Sequence, residues 1–203
     1  MKIMKVNYQT KLEEILSLPD TKGKSLLLHS CCAPCSSYVL EYLQEYFRIT
    51  VFFYNPNITD SKEYNLRLNE QKRLIPLISG SEYPIGFRDG GYDINQFHEM
   101  TGKYPQSLEG GERCLSCYEL RLNETARITA AEKYDCFATT LTISPHKNAE
   151  KINEIGERVA ALIKVNYLPA DFKKKGGYQR SLELSKQYSL YRQSFCGCEM
   201  SKP

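Results

Sequence analysis

Seven of the eight cysteines in this chain fall into three short groups: Cys31, Cys32 and Cys35; Cys114 and Cys117; and Cys196 and Cys198. Two adjacent cysteines together with a Cys-x-x-Cys pair supply four thiolates from two separate loops, the number that an iron–sulfur cluster or a structural zinc site requires. Spacing alone does not choose between the two. A chain with a full α/β core has no need of a metal staple to fold, which favours the cluster. Cys35 and the C-terminal pair are then surplus thiols. In Cys196-Gly-Cys198 a single glycine separates the sulfurs, so a disulfide there is strained and easily reduced. Cys136 stands inside an apolar run and reads as a core residue.

These thiols need elements to position them. Leu26, Leu27 and Leu28 follow Gly23 and precede a polar, cysteine-rich cluster, the pattern of a short buried strand. Val39, Leu40, Leu43 and Phe47 then recur at helical spacing. The first three cysteines therefore lie in a strand-to-helix turn, with Cys35 at or just inside a helix N-terminus, where free N–H groups and the macrodipole favour thiolate. Residues 49–54 read as a second strand and 61–79 as a helix that Pro76 should kink or shorten. Residues 83–87 read as a third strand and 94–100 as a short helix. The long helix 113–131 puts Cys114 and Cys117 on one face, one turn apart. Strand four is 136–141, a helix follows at 149–163, strand five is 165–168, and the last helix is 178–191. A weak amphipathic segment around Leu12, Ile15 and Leu16 covers the sheet.

Strands alternating with helices predict an α/β fold, an open and mostly parallel sheet with helices on both faces. The whole chain, 1–203, reads as one domain, with 164–203 a basic C-terminal segment ending in the Cys-Gly-Cys motif. Ligands in such sheets lie beyond the carboxyl ends of the strands, where strand order reverses. The loops at those ends hold nearly every unusual polar residue, among them Asp89 and His146, candidates for acid, base or ligand.

The net charge of +3 is unevenly spread: from Lys164 onward there are eight Lys/Arg against three Asp/Glu, and before it 19 against 21. Interleaved with Tyr178, Tyr188 and Tyr191, this basic stretch suits a phosphate-bearing partner. Lys173, Lys174 and Lys175 beside Gly176 and Gly177 form a basic loop for phosphate contacts, with Arg180 and Arg192 further along. With 41% hydrophobic residues the chain can build a proper core. Neither a charged-then-apolar leader nor a bilayer-length apolar run is present, so a cytoplasmic protein without a membrane partner is expected. In a reducing compartment, grouped cysteines point to metal or redox work.

Taken together, these motifs resemble one family. His-Ser-Cys-Cys-Ala-Pro-Cys (29–35), Tyr-Asn-Pro-Asn-Ile (54–58), Arg-Cys-Leu-Ser-Cys-Tyr-Glu-Leu-Arg (113–121), Thr-Thr-Leu-Thr-Ile-Ser-Pro-His-Lys (139–147), Phe-Lys-Lys-Lys-Gly-Gly (172–177) and Leu-Tyr-Arg-Gln-Ser-Phe-Cys-Gly-Cys (190–198) are similar to the cobalamin-independent epoxyqueuosine reductases, the QueH family. The resemblance runs over residues 25–199. It implies an adenine-nucleotide-alpha-hydrolase-like fold of the HUP or Rossmann-like kind. It also implies a reaction, the reductive loss of the epoxide oxygen of epoxyqueuosine at the tRNA wobble position to give queuosine. By position, Cys31, Cys32, Cys114 and Cys117 match the ligands of a 4Fe-4S cluster, and Cys196 and Cys198 match a redox-active pair. A second metal ion, iron, is implied beside the cluster, with Cys35 as a further ligand candidate. Cys196, Cys198, Cys35, Asp89 and His146 are then the catalytic candidates, and Lys173, Lys174, Lys175, Arg180 and Arg192 the RNA contacts. The implied partners are the tRNA anticodon arm and an external electron donor.

Two rival readings come from other classes. An ATP-using tRNA-modifying enzyme on the same sheet needs a Ser-Gly-Gly-x-Asp-Ser type loop after strand one, and His29-Ser30-Cys31-Cys32 has no glycine to let phosphate approach. A zinc-stabilised RNA-binding module without catalysis would account for the cysteines and the basic segment alone.

Overall fold

Leu26, Leu27 and Leu28 are all fully buried, because their strand runs inside a sheet that carries a helical layer on each face. The computed structural model describes residues 6–80 and 82–201. Its elements, in chain order, are α1 (Tyr8–Leu16), β1 (Lys24–His29), α2 (Ala33–Leu43), β2 (Phe47–Phe53), α3 (Ser61–Ile78), β3 (Gly86–Asp89), α4 (Asn95–Thr101), α5 (Glu112–Ala131), β4 (Cys136–Thr139), a 3-10 turn (Thr140–Ile143), α6 (Ala149–Ile163) and α7 (Gly177–Gln187). Leu26 and Leu28 point into a core built with α1, α2 and α3. Leu27 points the other way, against Leu122 and Ala126 of α5 and Ile152, Ile155 and Val159 of α6. This is the period-two alternation of a strand buried on both sides.

The four strands are parallel in the order β3-β2-β1-β4. The chain thus moves outward from β1 to β2 to β3 and then returns to the other side of β1. Strand order reverses between β1 and β4, which places a topological switch point beside the first cysteine loop. The predicted fold class is the observed one. Among the described residues no helix is long and apolar enough to cross a membrane.

Several predicted boundaries are corrected. Phe47, expected on the helix, opens β2 instead. The third strand begins at Gly86, beyond Pro84, which has no N–H to give to a ladder. The helix through Pro76 is not shortened and runs on to Ile78. Strand four stops at Thr139, whose side chain accepts from Leu141 N and opens the 3-10 turn. Because β4 leaves the sheet there, the expected strand 165–168 shrinks to a single bridge between Phe137 and Tyr167. The last helix ends at Gln187, since Ser189 adopts a positive φ of 49° and turns the chain aside. Cys136 lies in the core as expected, where burial pushes its thiol up to about 12.

Candidate active site

At the end of β1 the chain passes through Ser30 and reverses into α2. Cys32 takes the extended N-cap position, and Pro34 in the first turn needs no backbone donor. A buried polar clasp fixes this turn. Ser30 and Ser36 each donate to Gln71 Oε1, at 2.7 and 2.9 Å, and Asn55 Nδ2 donates to the Ser30 carbonyl at 2.9 Å. The sulfurs of Cys31, Cys32 and Cys35 consequently lie within 4.8 Å of one another, the one such group of three among the described residues.

Three crowded thiols cannot all be alike. Hydrogen bonds from Cys32 and Cys35 hold the Cys31 thiol well below its usual range, helped by Lys147 and Arg121. The same contacts push Cys32 up to about 12 and raise Cys35. The result is one thiolate flanked by two donors. A tetrahedral ion with metal–sulfur bonds of about 2.3 Å sets its sulfurs about 3.8 Å apart. Cys31 and Cys32 stand at 3.8 Å. This spacing fits a single thiolate-bound ion, while the soft donors suit a metal or a cluster; Cys114 and Cys117 are not part of this close group.

A cavity of about 680 Å³ opens over this turn, lined by Cys31, Cys35, Cys114, Cys117, Cys196 and Cys198. Its volume suits a nucleoside-sized ligand. Cys114 and Cys117 reach it from the first turns of α5, on the opposite helical layer. Gly110 N donates to Cys114 Sγ at 3.2 Å, and burial raises Cys117 to about 12. The loop after β4 contributes His146 and Lys147. Burial alone would depress the Lys147 ammonium, but Cys31, Cys35, Cys196 and Cys32 around it hold it above its usual value.

The remaining wall is the segment after α7, strapped along α3. Arg73 holds the carbonyls of Tyr188 and Ser189, and Glu70 accepts from Tyr191 N at 2.7 Å. Arg67, only 2% exposed, pairs with Glu63 and donates to the carbonyls of Cys196 (3.0 Å) and Phe195 (3.3 Å). Cys196 therefore faces the cavity, while Cys198 packs against Cys117 and Phe97. All eight cysteines are free thiols. Gly197 between the pair has φ +110°, and a Cβ there would stand 2.7 Å from Ile58 Cγ1. Gly197→Ala is therefore expected to lower stability by about 2 kcal/mol or more, measurable as a lower denaturation midpoint.

Beneath the cysteines lies His29, fully buried. Its Nε2 lies 3.2 Å from Arg121 Nε and 3.1 Å from the Tyr54 carbonyl, and its Nδ1 lies 2.8 Å from Thr139 Oγ1, so both ring nitrogens have partners. Burial, then the Arg121 charge, lowers its pKa from 6.5 to about 3. The unfolded chain takes up a proton below pH 6.5 that the folded chain refuses, so stability falls as pH drops from 6.5 toward 3. Between pH 7 and 5 the loss is about 2 kcal/mol. Urea unfolding at the two pH values checks this, and His29→Gln should flatten the difference.

The structure gathers most of the predicted site residues and separates others. All the thiols but Cys136 converge on the cavity or its floor, with His146 on the rim. Asp89 does not reach it: at the end of edge strand β3, it is exposed and accepts from Gly91 N. Of the basic candidates only Arg192 lines the cavity. Lys173 pairs with Asp171, Lys175 with Glu13, and Arg180 with Glu41. Sequence reasoning missed Arg67, Arg121 and Lys147. Arg121 had left a signal, four residues after Cys117 and so on the same helix face. Arg67 had left none, being one of many charges on a helix expected to turn them outward.

Fold and site together define a Rossmann-like α/β protein with a thiol-lined cavity at the strand-order reversal. The family model described as epoxyqueuosine reductase QueH matches residues 26–203, and the chain belongs to that family. An epoxyqueuosine reductase QueH of Staphylococcus epidermidis is 39% identical over 203 residues, covering 98% of this chain and 85% of the relative. The namesake from Acinetobacter baylyi is 38% identical, covering 92% and 84%. That from Thermotoga maritima is 31% identical, covering 87% and 90%. The family resemblance read from the motifs is borne out.

Proposed function

We propose that this protein removes the epoxide oxygen of epoxyqueuosine in the tRNA anticodon arm, leaving the alkene of queuosine. The observation that carries this reading is the convergence of six thiols from three separate segments on one nucleoside-sized cavity. Departure of the oxygen as water takes two electrons and two protons. Oxidation of the Cys196/Cys198 dithiol to a disulfide releases both pairs, and an external donor restores the thiols. Cys31, Cys32, Cys114 and Cys117 would hold a 4Fe-4S cluster, with Cys35 available to a second iron. Such a cluster, when bound, supplies electrons one at a time.

The chain's own groups do the rest. Tyr118 and Phe97 wall the cavity and exclude water, while His146 on the rim is placed to pass a proton to the departing oxygen. Arg192 and Lys174, which have no carboxylate partner among the described residues, contact the phosphates of the anticodon arm. The wobble nucleotide enters splayed from its stack, as enzymes acting on bases require. Residues 1–203 act as one domain in the reducing cytoplasm, 164–203 completing the site.

Reduced protein purified without oxygen should convert epoxyqueuosine tRNA and carry about four irons with matching sulfide, as a 4Fe-4S centre does. A colourless, inactive protein holding a single zinc would overturn the reading in favour of an RNA-binding module.

A further inference from the structure

We propose that Arg121 and Lys147 are the fixed positive charges that set how readily the thiolate-held group of this cavity accepts an electron. The inference rests on the reading above. Arg121 is 3% exposed, and a guanidinium keeps its charge in proteins. Buried cations are normally paired with carboxylates. Arg121 makes no such pair among the described residues: its partners are neutral, His29 Nε2 at 3.2 Å and Asn55 Oδ1 at 2.5 Å. Both tie it between the ends of β1 and β2. Its charge reaches two cavity thiols, Cys31 on one side and Cys117 on the other, besides His29.

Lys147 repeats the pattern independently, from the loop after β4. It is half-buried in the cavity wall, has no carboxylate partner among the described residues, and neighbours Cys31, Cys35, Cys196 and Cys32. The one acid in that wall, Glu109, is exposed. Arg121 and Lys147, two of the cations of this wall without a carboxylate partner, thus stand among the thiols, whose thiolates supply the counter-charge. A thiolate-bound cluster gains negative charge on reduction, and nearby positive charge favours the reduced form. Burial of Arg121 keeps solvent ions from screening its share of that charge.

Redox titration of the reconstituted protein, followed by electron paramagnetic resonance, tests this. Lys147→Gln and Arg121→Gln should each weaken reduction about tenfold, a potential about 59 mV more negative for one electron. Arg121→Lys, which keeps the charge, should recover most of the wild-type potential. Lys147→Gln alters a side chain that reaches solvent, so it decides the matter even where Arg121→Gln does not fold. An unchanged potential in Lys147→Gln, with the cluster intact, overturns the proposal. Wild-type protein that holds no reducible cluster overturns the preceding reading, and this one with it.

Discussion

Cys32→Ala protein, loaded with iron and sulfide without oxygen, is expected to lose turnover by more than about a hundredfold and to retain less iron than the wild type. Even groups that only hydrogen-bond to a metal's ligands are worth about 10–100-fold in activity or affinity. Cys32 is closer still: it is 1% exposed, caps α2, and stands 3.8 Å from Cys31. The change removes one sulfur from a tightly fastened turn, so the fold should lose only about 1 kcal/mol. Unfolding curves recorded alongside turnover separate the two effects. Normal turnover with a full iron complement would refute the assignment of this cysteine.

Arg67→Met should lower stability by about 3 kcal/mol. Methionine replaces the aliphatic stem but leaves Glu63, 13% exposed, without its guanidinium, and two carbonyls of the strap without a donor. It also removes the guanidinium stacked 5.1 Å from the Phe195 ring. The strap should then lift, and Cys196 and Cys198 should react faster with iodoacetamide in the native protein. Urea unfolding and mass-spectrometric counting of alkylated cysteines check both halves. An unaltered midpoint would mean that Arg73 and Glu70 hold the strap without help from Arg67.

Much of this was legible in the chain because its chemistry is concentrated in short motifs. Helical spacing in α5 was enough to put Cys114 and Cys117 on one face, and the apolar run before Cys31 was enough to define β1. What could not be read was anything decided by distant partners. Nothing local reveals that β4 abandons the sheet at Thr139 and leaves 165–168 with a single bridge. Nor does any local pattern show Arg67 turned inward, since the carbonyls that receive its guanidinium lie 128 and 129 positions away. The basic C-terminal residues are a related case. Charge counts treat every lysine as available, whereas Lys173, Lys175 and Arg180 are already matched with carboxylates from their own fold. Asp89 looked useful because it follows a strand, but that strand is the edge farthest from β4.

Cys35 rides on α2, in the layer against one face of the sheet, whereas Cys114 and Cys117 ride on α5, in the layer against the other. Any inorganic centre bonded to both sets works as a rivet through the rim of a three-decker sandwich. Loading it should make the two decks melt together at a higher temperature, by the mass-action gain of any ligand that binds only the native form. Stripping it should let them breathe apart, first at the open end where substrate must enter.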